Sequence, residues 1–412
     1  MRRQPHQINT HRFGYVQLKM ETMFGMVYFF CMCSYYSLAV KENAIIFLLS
    51  PVAIIGDYLL FGYIIALLFI NYKRIRIDKS AYSFLWFLFC AELLICGFSE
   101  TRKMLHVLVY IVVIFSYYCL LPSLVSIKTL GRIPCIFCVY ALLDSIRLGQ
   151  LTGIPCHGIF SNSNGLGQVA CFGVIGIIVI AIIDNHSLSS ARTLIVVLLL
   201  GIICASCSRA SLFTALAAIL LSYVISSKEN KPKQLKKVLV LAVITVIICF
   251  FSTQTSEWIR GLLDPVKMKI TAERDSALSG RDVIWREIWN ARTLFGTKEA
   301  NTSMGSHSLY FGILRSYGLM GIGLFLSICF FSFAELVGNI AFYKRAKMDI
   351  EFREVCGMAC LIGMILLYGF SENVSSFLNY SMMTLLVCFS KNHYYANQRR
   401  DMGNESFIYH SS

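Results

Sequence analysis

The residues best suited to chemistry in this chain are two arginines and a histidine, Arg209, Arg281 and His307. Arg209 and His307 each stand where polar sequence gives way to an apolar run. Arg209 lies in "CASCSRASLFTALAAILL", at the head of a hydrophobic stretch. An arginine there is costly unless it faces a cavity, a partner or the interface. It can snorkel, or it can be a fixed guanidinium that grips a phosphate with two parallel hydrogen bonds. Arg281 lies in "SGRDVIWREIWN", where Ser279 followed three residues later by Asp282 reads as a helix start. Ile284, Trp285, Ile288 and Trp289 form one stripe, with Arg281, Asp282, Arg286, Glu287 and Asn290 opposite. The pattern predicts an amphipathic helix on a membrane surface with its tryptophans at headgroup level. Either it is a passive surface helix, or Arg281 adds its charge to the helix N-terminus and makes an anion site. His307 precedes "SLYFGILRSYGLMGIGLFL". Helical spacing puts His307, Tyr310, Phe311 and Leu314 on one face, and Arg315 continues the stripe about 12 Å deeper. A histidine in a partly desolvated mouth near cations stays neutral. It can then act as a general base, or simply bond a backbone carbonyl.

Weaker candidates surround these three. Asn162, Ser163 and Asn164 in "GIFSNSNGLGQ" can cap a helix, and their amides and hydroxyls also suit sugar hydroxyls. Glu372 in "GFSEN" is a carboxylate able to pair with an arginine or hold a sugar; His157, Glu257 and Glu100 are fainter versions of the same. No His/Cys/Asp/Glu cluster has metal-ligand spacing, and no Ser-His-Asp arrangement can be assembled. Most of the 16 cysteines fall in apolar runs, Cys135-x-x-Cys138 included, where they act as small hydrophobes. Cys156 is the clear exception, in a polar loop. Neither a disulfide framework nor a nucleotide-binding glycine motif is present.

The elements that must position these residues are membrane helices. The chain of 412 residues is 57% hydrophobic and 15% charged, against roughly 45–50% apolar and 25% charged for soluble domains. Apolar runs near the length of a membrane span recur. They predict roughly twelve helices, at 22–40, 44–70, 80–98, 105–126, 133–148, 164–183, 192–206, 209–226, 237–253, 307–334, 354–371 and 374–390. The fold class is an all-α polytopic membrane protein, residues 1–412 forming one membrane domain, with a long loop over 252–306. With both termini inside, alternate connections carry 23 of the 37 lysines and arginines, as the positive-inside rule requires. The net charge of +14 is therefore a topology signal and not a nucleic-acid footprint. "MRRQPHQINTHR" before an apolar run faintly resembles a signal peptide; an uncleaved first helix keeps the helix count even. This topology sends 149–165, 205–211, 252–306 and 369–373 to the outer face, away from cytosolic nucleotide sugars.

Four stretches on this face carry a family resemblance. "CSRASLFTALAAILL" resembles the Ser-Arg-(Gly/Ala) helix start of the O-antigen ligase and O-antigen polymerase family. "SGRDVIWREIWNARTLFGTKEANTSMGSHSLYFGILRSYGLMGIGLFL" resembles its long periplasmic loop: Gly-Arg, an aromatic helix, a Leu/Phe-Gly step, then His and an apolar helix. "GIFSNSNGLGQ" and "GFSEN" resemble its Gly-x-Phe-x-Asn-x-Asn helix entry and its polar turn before the last helix. The resemblance covers about residues 150–390. Two departures are Ser308 after the histidine, where the family commonly has Asn, and Thr297-Lys298 in place of its Gly-x-Gly.

The resemblance implies a GT-C-like glycosyltransferase in the bacterial cytoplasmic (inner) membrane, working on the periplasmic face. The donor would be a glycan on undecaprenyl diphosphate. Arg209 and Arg281 would grip the diphosphate as it leaves, in place of a metal ion. His307 would deprotonate the acceptor hydroxyl for a direct, inverting attack. Asn162, Asn164, Arg315, Tyr310, Glu372 and Trp285 would line the substrate, membrane lipid would surround the polyprenyl tail, and no cofactor is called for. The leading expectation is a polymerase of O-antigen, capsule or exopolysaccharide repeat units, with a chain-length regulator as an accessory partner. The alternative is a ligase that passes the glycan to lipid A–core. A flippase or transporter is the reading from another class; it predicts broken helices and charges near mid-membrane, for which Asp57, Glu92 and Glu335 are the candidates.

Overall fold

The computed structural model describes residues 80–98, 125–153, 155–185, 189–225, 281–296, 307–372 and 380–410, with individual residues of 21–45, 62–69 and 111–114. The expected helices at 22–40, 44–70, 105–126 and 237–253, and most of the 252–306 loop, lie wholly or largely outside the described residues. Within them the chain is all-helical, save for an isolated bridge between Val40 and Phe160. The helices are α1 (Ala81–Phe98), α2 (Ile127–Arg147), α3 (Ser163–Ile183), α4 (Ser190–Ala205), α5 (Arg209–Ile225), α6 (Arg281–Asn290), α7 (Leu309–Arg345), α8 (Asp349–Tyr368) and α9 (Tyr380–His410).

Among the described residues, α2, α3 and α7 are long and apolar enough to cross a membrane, and α1, α4 and α5 are shorter apolar helices. Phe84 and Phe87 on α1, Leu194 and Leu198 on α4, Phe213 and Leu220 on α5, and Phe330 and Phe333 on α7 are all exposed. So much exposed apolar surface suits lipid and not water. The helix starts follow the capping rules: the Ser126 and Ser189 hydroxyls accept from Thr129 N at 3.2 Å and Arg192 N at 3.3 Å.

Helix α3 is the hub and packs against α2, α4, α5 and α8. Its approach to α2 requires small residues, because a Cβ on Gly176 would lie 2.3 Å from the Gly131 carbonyl oxygen. The two cysteines of Cys135-x-x-Cys138 sit at this crossing, Cys135 Sγ 3.5 Å from Gly173 O.

Several helix boundaries differ from the hydropathy pattern, and buried polar pairs account for two of them. Helix α7 runs to Arg345 instead of 334, and α9 runs on to His410 instead of ending at 390. Apolarity fades after residue 334, but Glu335, Asn339 and Tyr343 of α7 meet His393, Asn392 and Tyr395 of α9 there. Asn339 Nδ2 donates to Asn392 Oδ1 at 2.9 Å, His393 Nδ1 lies 2.9 Å from Glu335 Oε1, and Tyr343 Oη donates to Tyr395 O at 3.0 Å. Polar groups satisfied by one another keep two helices paired where a hydropathy window sees an end. Helix α2 starts at Ile127 instead of 133, where the Ser126 cap sets the boundary, and α8 spans Asp349–Tyr368 instead of 354–371.

Helix α7 is also broken. Gly318 has φ 66° and ψ −165°, a region almost reserved for glycine. The amides of Leu319 and Met320 donate to Thr293 O at 3.0 Å and Leu294 O at 3.1 Å, outside the helix. The single helix expected over 307–334 is thus two segments, with the turn after α6 lodged between them.

Candidate functional site

One turn, residues 369–372, assembles the site. Ser371 N and Glu372 N close it on Tyr368 O, at 3.1 and 3.2 Å. The Gly369 carbonyl then accepts twice from the start of α7, from Leu309 N at 2.7 Å and from the Ser308 hydroxyl at 3.2 Å. Ser308 is the N-cap of α7, but its side chain serves this turn and not its own helix. On the other side, Arg281 Nη1 donates to Ser371 O, and Arg281 Nη2 to Glu372 Oε1 at 3.3 Å. Two stretches far apart in sequence, the start of α6 and the start of α7, are thereby held on a single loop.

His307 stands immediately before this α7 start, and its backbone is unusual. Of the four non-glycine residues with positive φ among the described residues, Asn185, Cys207 and Lys347 directly follow helix C-caps, where the left-handed conformation is common. His307, with φ 47°, instead precedes a helix. Such a conformation costs on the order of 1–3 kcal/mol and persists only where the surroundings impose it. The expected helical stripe is corrected accordingly: Tyr310, Phe311 and Leu314 are helical, and His307 lies outside the helix. The reason is that Ser308 and Leu309 are drawn to Gly369 O, which fixes where α7 begins.

The electrostatics follow from this packing. Burial, and then the Arg281 guanidinium, hold the His307 imidazole below the usual histidine range, so it is neutral at pH 7. Burial pushes the Glu372 carboxyl above its ordinary value, while the charge and hydrogen bond of Arg281 pull it back. Each side chain of the Arg281–Glu372 pair is only about one-fifth exposed, at 21% and 19%.

Helix α6 docks onto α7 instead of lying free on its apolar stripe. The Trp285 ring stacks on Phe311 with centroids 5.0 Å apart and planes 4° from parallel, and Ile288 is fully buried. Trp289 is the stripe's exposed member, with the Arg292 guanidinium over its ring at 4.2 Å. Tyr310, on α7, donates its hydroxyl to Leu366 O at 3.0 Å and packs on Phe370, so this side chain ties α7 to α8. Arg315 lies three residues before the break, half-buried.

Arg209 opens α5 on the exposed side, between buried Ser208 and Ser211, whose hydroxyls lie 2.8 Å apart. The Ser211 side chain also hydrogen-bonds Tyr368, the residue on which the 369–372 turn closes. Arg209 therefore starts a helix anchored one turn from Glu372. The hinge before it is fixed by the α3 approach: Cys156 N donates to Ala205 O at 2.7 Å, and Gly167 of α3 packs on Ser206 and Ser208. Asn162 caps α3, its Oδ1 accepting from Asn164 N at 2.9 Å, and Asn164 is half-buried beside it.

The structure thus joins Arg281 to Glu372 directly, brings His307 to the same turn through its neighbours Ser308 and Leu309, attaches Trp285 and Tyr310 as packing around them, and ties Arg209 to the same end through Ser211 and Tyr368. Sequence reasoning missed the Ser371 and Gly369 carbonyls, because a backbone acceptor has no residue signature. Its hint was the short "GFSEN" between two apolar runs. A neutral imidazole close to a fixed guanidinium can accept a proton from a hydroxyl while neighbouring positive charge stabilises a departing anion. No family model matches the chain, and no curated protein matches it.

Proposed function

We propose that this protein is a polyprenyl-diphosphate-dependent glycosyltransferase that joins glycan repeat units on the outer face of a bacterial cytoplasmic membrane. His307 takes the proton of the acceptor hydroxyl. The oxygen attacks the anomeric carbon and inverts it, and the diphosphate leaves toward Arg281 and Arg209. Loop polarity and the positive-inside distribution support the outer-face assignment. The observation that carries the reading is that one turn holds both groups' anchors: Ser371 and Glu372 pre-set Arg281, and Gly369 fixes the helix start that His307 precedes. A base and a diphosphate-binding cation are the two functions such a transfer needs.

The broken α7 and the buried Glu92, Glu335 and His393 are the features a transporter would use. Yet the break is filled by the Thr293 and Leu294 carbonyls, Glu335 is matched by His393 and Arg400, and Glu92 accepts from the Cys96 thiol. Both features serve packing.

Purified protein given only a lipid-linked repeat unit should build a ladder of longer glycans. Transfer that waits for lipid A–core would mark a ligase. Lipid translocation with no new glycosidic bond would overturn the reading.

A further inference from the structure

We infer that the Thr293–Gly296 turn, seated in the break of α7, sets the position of Arg281, with Gly296 and Gly318 as positioning residues. The inference rests on the role given to Arg281 above. Helix α6 has 10 residues, and isolated helices shorter than about 12–15 residues are marginal in water. Its place is therefore decided by its anchors. One of these is Arg281 itself, through Ser371 and Glu372. A substrate phosphate that engages the guanidinium competes with this anchor. Another is the Trp285–Phe311 stack near the middle of the helix. The turn that follows α6 is a third anchor, made by backbone alone and likewise independent of the arginine.

This turn fits the break as backbone against backbone. In a continuous helix, Leu319 N and Met320 N would donate to residues 315 and 316; here Thr293 O and Leu294 O take those places at 3.0 and 3.1 Å. A Cβ on Gly318 would lie 2.3 Å from Gly296 N and 2.4 Å from Leu294 O, and one on Gly296 would lie 3.0 Å from Ser316 O. These neighbouring atoms all belong to the backbone, so no side chain can turn aside. Gly318 and Gly296 also have φ of 66° and 109°, which other residues adopt with difficulty. Cys96 Sγ, 3.2 Å from Phe295 O, ties the same turn to α1. The break in α7 is thus a socket, and the α6 unit is the part seated in it.

The test uses the full-length protein in nanodiscs with Gly318→Ala and Gly296→Ala. Gly323→Ala, on the same helix with open space around its Cβ, is the control. Amide exchange of 281–296, read by mass spectrometry, should quicken about ten-fold in the first two variants and not in the control. The pH profile of His307 acylation by diethyl pyrocarbonate should move upward, as in Arg281→Gln, because the guanidinium no longer sits beside the imidazole. Turnover on lipid-linked repeat unit should fall about 100-fold, the scale of a small misplacement. Unchanged exchange and an unchanged His307 profile in both glycine variants would overturn the inference whatever turnover does, and so would loosened exchange with full turnover. If both physical readouts move but wild-type protein transfers no glycan, the seating stands and the transferase reading falls.

Discussion

Glu372 holds Arg281 by its Nη2 at 3.3 Å, in a pair whose members are both about four-fifths buried. Burial raises the carboxyl more than the guanidinium lowers it. The folded state therefore binds that proton more tightly than the unfolded chain. This contribution to stability is present below the unfolded pKa of about 4.3 and is lost as pH rises through the higher folded value. Glu372→Gln keeps an acceptor for Arg281 and removes the buried charge. It should be neutral or slightly stabilising at pH 7 by thermal unfolding, and the wild type should gain on it as the pH falls toward 5.

His307→Ala should lower transfer by about 10²–10⁴-fold, the usual worth of a general base, without changing expression. In the wild type the rising limb of kcat/KM against pH should have its midpoint below about 6.5, since burial and Arg281 both disfavour the imidazolium. A midpoint above 7 would contradict the proposed base.

Arg281→Lys should fail to restore transfer. The guanidinium reaches the Ser371 carbonyl and Glu372 through different nitrogens, and a lysine offers one point of charge in place of a fork. Turnover of the lysine variant within about three-fold of wild type would show that charge alone suffices.

Ser211→Ala and Tyr368→Phe should be coupled, because their side chains bond each other and link the helix of Arg209 to the 369–372 turn. A double-mutant cycle on unfolding should give an interaction of about 0.5–3 kcal/mol. Additive single effects would mean that Arg209 is positioned independently.

At the other end of the bundle, Asn339→Ala should cost about 1–3 kcal/mol by leaving the buried Asn392 Oδ1 without the Asn339 donor. Specific activity of the folded fraction should be unchanged, which separates the polar zipper of α7 and α9 from the site.

The sequence by itself determined that this is an all-α chain built for a membrane. Apolar run length and the distribution of basic residues are local quantities, and they survive any rearrangement of the helices. It also singled out Arg281, His307 and Glu372, because charged groups beside apolar runs are conspicuous. Tertiary structure decided the rest. That His307 stands outside its helix depends on the Gly369 carbonyl, 62 residues from His307 along the chain. That α7 and α9 outrun their apolar segments depends on polar residues finding one another across an interface. That α7 breaks at Gly318 depends on the turn from α6 filling the gap, since a helix opens its amides at little cost only where other carbonyls replace those it gives up.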